Sequence, residues 1–184
     1  LNNTNVRLSK AWEKFAATVR AQHLYSTNDF SYLDRTGINA VKVENTNGQS
    51  ENYTVNTSTG FRTGDHRIVL GLQMSNTSRG IAPIIGVPAK AESQDDQTAF
   101  SSLGYTYLGE KWRNKLTFGY TFFHTNYRNP FLEIDADNHT TMKIVRNQST
   151  FQFGDWLSIS TDLLYNHSTA TSANFGDNIS RNTY

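Results

Sequence analysis

Three acidic residues alternate along a polar stretch in the second half of the chain and could bind a metal ion. Glu133, Asp135 and Asp137 are each separated by one residue. Carboxylate oxygens are ligands that a hard cation such as Ca²⁺ accepts, although this spacing is not that of an EF-hand loop. The sequence therefore predicts either a calcium site in this stretch or a solvated acidic loop that binds no ion.

No pattern typical of an enzyme accompanies these carboxylates. The five histidines form no HExxH motif, and the chain has neither a G-x-S-x-G segment nor a glycine-rich phosphate loop. It also has no cysteine that could act as a nucleophile or as a thiolate ligand. We therefore predict no catalytic site and, calcium apart, no cofactor.

Composition and charge narrow the class of protein. The 184 residues carry a formal net charge of +1, which gives no electrostatic reason to expect a nucleic-acid partner. Hydrophobic residues make up only 36% of the chain, and no run approaches the roughly 18 to 20 apolar residues of a membrane helix. A membrane protein built from strands is compatible with this composition, because only every second residue of such a strand faces lipid.

The clearest structural signal is a long β-hairpin between Ala99 and Phe123. Apolar or aromatic residues occupy alternate positions of its second arm, which is the period-two pattern of a strand. The segment GEKWR, which begins at Gly109, joins the two arms. Each arm has about ten residues, longer than the usual five or six of a soluble strand and close to the 9 to 11 that cross a bilayer.

The same alternation predicts six further strands, which makes eight in all. Their expected ranges are 3–8, 15–25, 53–61, 68–74, 141–153 and 157–165. Short joins are expected near residues 9–14, 62–65, 109–113 and 154–155. Long loops are expected at 26–50, 76–97 and 127–140, and a polar tail at 167–184.

Short and long connections therefore alternate. A soluble domain seldom holds several long structureless loops, whereas outer-membrane barrels combine short periplasmic turns with long extracellular loops. Outer-membrane barrels carry a girdle of aromatic residues at each membrane boundary. One of these girdles would lie near the strand ends away from the short joins, where the sequence places Tyr25, Tyr127 and Tyr165. The tryptophans, at the short joins, are Trp12, Trp112 and Trp156. The predicted fold class is all-β, an antiparallel transmembrane β-barrel of up-and-down hairpins.

Three segments resemble the barrel of a TonB-dependent outer-membrane receptor. They are YSTNDFSY at residues 25–32, GLQMSNTSRGIAP at 71–83 and HTNYRNPF at 124–131. The resemblance implies that residues 1–184 are part of a single barrel domain of about 22 strands, eight of which are predicted here. It also implies location in the bacterial outer membrane, with lipid around the barrel.

The same resemblance implies active uptake of a scarce nutrient such as an iron–siderophore complex. Energy would come from the TonB system through a plug domain, and neither a plug nor a TonB box is visible in this sequence. Both chain ends would lie on the extracellular side, so we expect an excerpt of a larger barrel or an engineered eight-stranded one. The residues expected to contact the small-molecule ligand are Phe30, Tyr32, Arg35, Arg79, Tyr127 and Arg128.

Two other functions fit the same strands. A self-contained small barrel with a structural or adhesive role would need neither plug nor TonB. A soluble β-sandwich that binds carbohydrate would bury the apolar side of the hairpin against a second sheet. The loop lengths and the tryptophan positions favour the membrane barrel.

Overall fold

The protein is built from antiparallel strands. A computed structural model describes residues 1–28, 30–35, 37–45, 47–81, 92–172 and 179–183. No helix long and apolar enough to cross a membrane occurs in this part of the chain. All regular structure in it is β, so the all-β prediction is confirmed. The strands are β1 (Asn2–Ala11), β2 (Phe15–Ser26), β3 (Phe30–Asp34), β4 (Val41–Asn45), β5 (Ser50–Thr63), β6 (His66–Gly80), β7 (Ser93–Leu108), β8 (Trp112–Asn129), β9 (Ile134–Phe153), β10 (Leu157–Ser172) and β11 (Ile179–Thr183).

Nine of the strands form one antiparallel sheet in the order β1-β2-β5-β6-β7-β8-β9-β10-β11. Within the described ranges, β1 pairs only with β2 and β11 only with β10, so the sheet is open and is not closed into a barrel. Closure requires the first and last strands to pair along their length. The last strand offers only five residues, Ile179–Thr183.

The remaining two strands form a separate hairpin inside the first predicted long loop. β3 pairs with β4, and this β3–β4 hairpin contacts no other strand among the described residues. The sequence contains alternation here, with Phe30 and Tyr32 in one arm and Val41 and Val43 in the other. Each run is only five residues long, which is why it was missed within a polar segment.

The strands of the main sheet are longer than predicted, and the loops are correspondingly shorter. The prediction of a long loop at residues 127–140 is wrong, because β8 extends to Asn129 and β9 begins at Ile134. The loop predicted at 76–97 is shorter, because the connection between β6 and β7 comprises only residues 81–92. Residues 82–91 lie outside the described part of the chain. Most residues of these extensions are polar on both faces, so backbone pairing continues where apolar alternation no longer indicates a strand. The start of β9 is the exception, because Ile134 and Ala136 alternate there with Asp135 and Asp137.

All four predicted short joins lie at the same end of the sheet, which we call the turn end. They connect β1 to β2, β5 to β6, β7 to β8, and β9 to β10. The other end, where the remaining connections lie, is the loop end. The positions of the short joins are thereby confirmed.

The strand register gives the sheet one apolar and one polar face, because residues paired directly across antiparallel strands point to the same side. The apolar face carries Leu8, Val19, Val55, Leu72, Leu103, Phe118, Tyr120 and Ile159. β9 interrupts this face with Lys143 and Asn147. The polar face carries Arg20, Asn56, Gln73, Thr121, Arg146 and Ser168.

The sheet forms a single layer without a core. Among residues whose burial is described, only Gly109, Asn129 and Ala136 are buried. Large apolar side chains on the apolar face remain exposed; Met74, for example, is 66% exposed. A soluble sandwich would cover such a face with a second sheet, and no second sheet lies against it in the described residues.

An asparagine closes the base of the connection between β6 and β7. The Asn47 Nδ2 donates hydrogen bonds to the backbone carbonyls of Ile81, at 2.9 Å, and Glu92, at 2.8 Å. The backbone N–H of Ile81 also donates to the Glu92 carbonyl at 2.9 Å. Gly80 passes so close that a Cβ there would lie 2.8 Å from the Asn47 backbone oxygen. Asn47 thus holds the two ends of this connection together.

Candidate functional site

Two of the six predicted ligand-contact residues lie together on the polar face at the loop end. Arg79 pairs with Gln94, and Gln94 pairs with Tyr127, so the three form one row across β6, β7 and β8. Because neighbouring strands lie about 4.8 Å apart, the backbones of Arg79 and Tyr127 are about 10 Å apart. Both residues were predicted to lie in loops but belong to strands.

Arg79 is held by a carboxylate on the adjacent strand. Its Nη2 lies 3.3 Å from Asp96 Oδ2, while Thr125 donates to Asp96 Oδ1 at 2.8 Å and Gln94 donates at 2.9 Å. The Asp96 side chain is only 18% exposed, whereas that of Arg79 is 46% exposed. Part of the guanidinium therefore remains available to an external anion.

Tyr127 is fixed by polar partners on both sides of its hydroxyl. The hydroxyl donates to Glu92 Oε1, and Asn129 Nδ2 donates to the Tyr127 oxygen at 3.3 Å. The hydrogen bond to the Glu92 carboxylate raises the pKa of Tyr127. Asn129 Oδ1 also accepts the backbone N–H groups of Phe131, at 3.0 Å, and Leu132, at 3.1 Å, which shapes the turn after β8.

The other four predicted contact residues do not join this pair. Arg128 points to the opposite face, where its Nε lies 3.6 Å from Asp135 Oδ2. Phe30, Tyr32 and Arg35 belong to the β3–β4 hairpin or follow its first strand, and that hairpin contacts no strand of the main sheet among the described residues. The rings of Phe30 and Tyr32 lie 6.3 Å apart.

Polar-face positions of the main-sheet strands are strongly cationic in the described part of the chain. Nine basic side chains but only two carboxylates, Asp96 and Asp162, occupy them. Asp162 is paired, since it accepts from Arg146 Nε at 2.9 Å and from Gln148 at 3.1 Å. The basic residues are Arg7, Arg20, Arg62, Arg67, Arg79, Arg113, Lys115, Arg146 and Arg181.

Ring-bearing and amide side chains form a row across the loop end of the apolar face, here called the rim row. The strand register aligns them directly, from β2 through β9. The six members are His23, Tyr53, Asn76, Gln97, His124 and His139. Two clusters of a histidine and a carboxylate are built on this row.

The first cluster joins His23, Glu51 and Tyr53. The Glu51 Oε1 lies 2.9 Å from His23 Nε2 and accepts the Tyr53 hydroxyl at 2.6 Å. The His23 and Tyr53 rings stack with their centroids 4.4 Å apart. The hydrogen bond from Tyr53, followed by that from His23, lowers the pKa of the Glu51 carboxyl.

The second cluster joins His124, Asp137 and His139 and has the composition of a metal-ligand set. Asp137 Oδ1 lies 2.6 Å from His124 Nε2 and 3.2 Å from His139 Nε2, and all three ligand atoms lie within 4.8 Å of one another. The two imidazoles stack at 4.3 Å, since His124 and His139 face each other across β8 and β9. The His124 side chain is 21% exposed.

The predicted calcium triplet is not assembled. Asp135 and Asp137 share a face of β9, but their carboxylates do not join one group of potential ligands. Asp135 instead contacts Arg128 and Asn126, and Glu133 lies in the turn with a φ of 54°. Of these three residues only Asp137 enters a group of potential ligands, together with His124 and His139, which the acidic spacing alone does not indicate. The signal that could have found them is symmetry, because His124 and His139 are equidistant from the turn at 130–133.

Aromatic residues also collect at the turn end. Trp112 stacks on Phe151 at 5.8 Å and contacts Tyr107 at 5.2 Å, while Trp12 contacts Phe15 at 5.3 Å. All three tryptophans lie at this end, as predicted. The predicted second aromatic girdle is not formed as expected, because Tyr127 lies on the polar face and Tyr165 lies well inside β10.

Neither a protein-family model nor a curated protein matches this chain.

Proposed function

We propose that this chain is part of a TonB-dependent outer-membrane receptor barrel that takes up a scarce, anionic nutrient complex. The observation that carries the membrane assignment is the exposed apolar face, since a soluble monomer rarely leaves so large a contiguous apolar surface in water. Lipid would cover this face.

The dimensions of the apolar face support its location in a bilayer. From Trp112 at the turn end to Phe122 beside the rim row, β8 advances ten residues, or about 34 Å at about 3.4 Å per residue. At a tilt of about 40°, this distance corresponds to a height of about 26 Å, close to the roughly 25 Å apolar band of outer-membrane barrels. Lys143 is the main exception on this face, and its long stem could carry the ammonium towards the aqueous boundary.

The basic side chains of the polar face support the proposal that the transported molecule is anionic. Arg7 stands directly opposite Arg20, and Arg62 directly opposite Arg67. Like charges in directly opposed positions destabilise a sheet unless an anion compensates them. A lumen lined in this way suits an anionic chelate, such as an iron–siderophore complex, that first meets Arg79 and Tyr127 at the loop end.

The membrane assignment is tested with two arginine substitutions on one strand. Phe118 lies on the apolar face of β8 and Thr121 on the polar face. With the chain folded in lipid vesicles, Phe118→Arg should lower the free energy of unfolding by about 2–4 kcal/mol, and Thr121→Arg by much less. Denaturant titration measures both. Equal losses, or a stable monomeric β-structure in buffer without lipid or detergent, would contradict the proposal.

The uptake assignment is tested separately in the complete receptor. Arg79→Ala and Tyr127→Phe should weaken uptake of an iron–siderophore complex supplied as the only iron source, whereas Arg128→Ala on the opposite face should not. Unchanged uptake in the first two variants would remove them from the ligand path. Closure of residues 1–184 into a heat-modifiable barrel would instead favour the self-contained small barrel.

A further inference from the structure

We propose that His124, Asp137 and His139 form a binding site for one divalent first-row transition-metal ion, of which Zn²⁺ is the representative probe. The inference does not depend on the proposed transport function. It rests on the geometry of the second histidine–carboxylate cluster.

The three ligand atoms are already close to the arrangement that zinc requires. Zinc binds imidazole nitrogen at about 2.0–2.1 Å, which puts neighbouring ligand atoms of a tetrahedral site about 3.4 Å apart. Asp137 Oδ1 lies 2.6 and 3.2 Å from the two Nε2 atoms, and no two ligand atoms are farther apart than 4.8 Å. Small side-chain rotations therefore suffice to admit an ion between them.

The donor set selects the class of metal. Two imidazole nitrogens and one carboxylate oxygen suit zinc, nickel, copper or cobalt, whereas Ca²⁺ takes six to eight oxygen ligands. Three protein ligands leave a fourth position for water or another donor. The cluster therefore favours a transition metal over the calcium ion that the acidic sequence predicts.

The backbone positions the ligands before any metal arrives. His124 and His139 are directly paired across β8 and β9, and Asp137 lies two residues from His139 on the same face. The hairpin that carries them is closed by only four residues, 130–133, and Asn129 anchors this turn through two backbone hydrogen bonds. Little conformational entropy would be lost on binding, because two of the ligands share one strand and the third lies on its paired neighbour.

The location separates this metal site from the proposed ligand path. The cluster occupies the rim row on the apolar face, whereas Arg79 and Tyr127 point to the polar face. A metal bound here would join β8 to β9 at the loop end of the sheet, so its expected role is to fasten this hairpin and not to serve as transported cargo.

Titration of Zn²⁺ into the full chain, followed by calorimetry, tests the site, with Co²⁺ absorption as a second readout. We expect one saturable ion per chain and a tetrahedral Co²⁺ spectrum. Loss of an outer-shell partner typically weakens metal binding 10- to 100-fold, so His124→Ala, Asp137→Asn and His139→Ala should each weaken it at least that much. Ca²⁺ should not displace the bound ion.

His66→Ala is the matched control. His66 also lies on the apolar-face side of the sheet, but its ring hydrogen-bonds to Tyr105 and contacts no carboxylate in the described residues. This variant should bind Zn²⁺ as the unmodified chain does. Absence of saturable binding, or equal losses in His66→Ala and His139→Ala, would overturn the proposal. Zn²⁺ should also raise the unfolding midpoint of the unmodified chain but not that of His139→Ala.

Discussion

The two histidine–carboxylate clusters of the rim row share a backbone arrangement but differ in the carboxylate and in the residue that faces the histidine. In each, a histidine faces a ring-bearing residue on the adjacent strand, and the carboxylate lies two residues before that ring-bearing residue. The facing residue is Tyr53 in one cluster and His139 in the other. The Tyr53 hydroxyl donates a hydrogen bond to the carboxylate, whereas His139 can offer a nitrogen lone pair to a metal. The facing residue thus distinguishes a closed hydrogen-bonded cluster from a metal-ligand set, since both clusters supply a histidine and a carboxylate.

The largest change should come from converting the first cluster into the second. Tyr53→His would place two imidazoles and a carboxylate, that of Glu51, at the register positions that His124, His139 and Asp137 occupy in the second cluster. We expect the number of Zn²⁺ ions bound per chain to rise from one to two, since the added imidazole completes a set of three ligands. Equilibrium dialysis measures the ratio. Tyr53→Phe, which adds no ligand, is the control, and a ratio that stays at one in both would show that the backbone arrangement is insufficient.

A smaller effect should follow from loosening the turn that aligns the second cluster. Asn129→Ala removes an acceptor from the backbone N–H groups of Phe131 and Leu132. We expect the free energy of unfolding to fall by about 1 kcal/mol. Zn²⁺ binding should also weaken several-fold, because His124 and His139 would be held less firmly opposite each other. Denaturant and metal titrations check the two effects. Asn129→Asp keeps the acceptor oxygen and should retain most of the affinity, and unchanged affinity in Asn129→Ala would mean that the turn does not position the ligands.

The smallest effect concerns the protonation of the first cluster. The hydrogen bond from Tyr53 is the main cause of the lowered pKa of Glu51, so Tyr53→Phe should raise that pKa towards its ordinary value. A lowered carboxyl pKa stabilises the folded chain above the unfolded value of about 4.3, and this stabilisation disappears as the pH falls through the folded-state pKa. Carboxyl NMR titration follows the shift. His66→Ala should leave the Glu51 titration unchanged, and an unaltered titration in Tyr53→Phe would assign the shift to another cause.

The sequence predicted the features that depend on alternating apolar residues. The long hairpin, β2, the four short joins and the tryptophans at the turn end all follow from this pattern. It could not predict the strand extension from Tyr127 to Asn129, because the residues there are polar on both faces and leave no periodic signal. At the start of β9 only Ile134 and Ala136 alternate with acidic residues, which is too short a run to distinguish a strand from a loop.

The candidate metal site could not be predicted for a related reason. A long loop at residues 127–140 would leave Asp137 and His139 in irregular structure, so the sequence alone does not place His139 opposite His124. Strand register depends on the length of the turn, and here a four-residue turn fixes it. Likewise, the opposite orientations of Tyr127 and Arg128 became apparent only once both residues were placed in a strand.

The Asn47 contacts have a consequence for how the connection between β6 and β7 can vary during evolution. Asn47 ties the carbonyls of Ile81 and Glu92, and these two residues are also joined by a backbone hydrogen bond. The residues enclosed between them can therefore be replaced, lengthened or shortened at little entropic cost and without shifting the register of β6 against β7. Homologous chains should therefore differ in the length and sequence of this connection more than in the strands beside it, provided that Asn47 and Gly80 are retained.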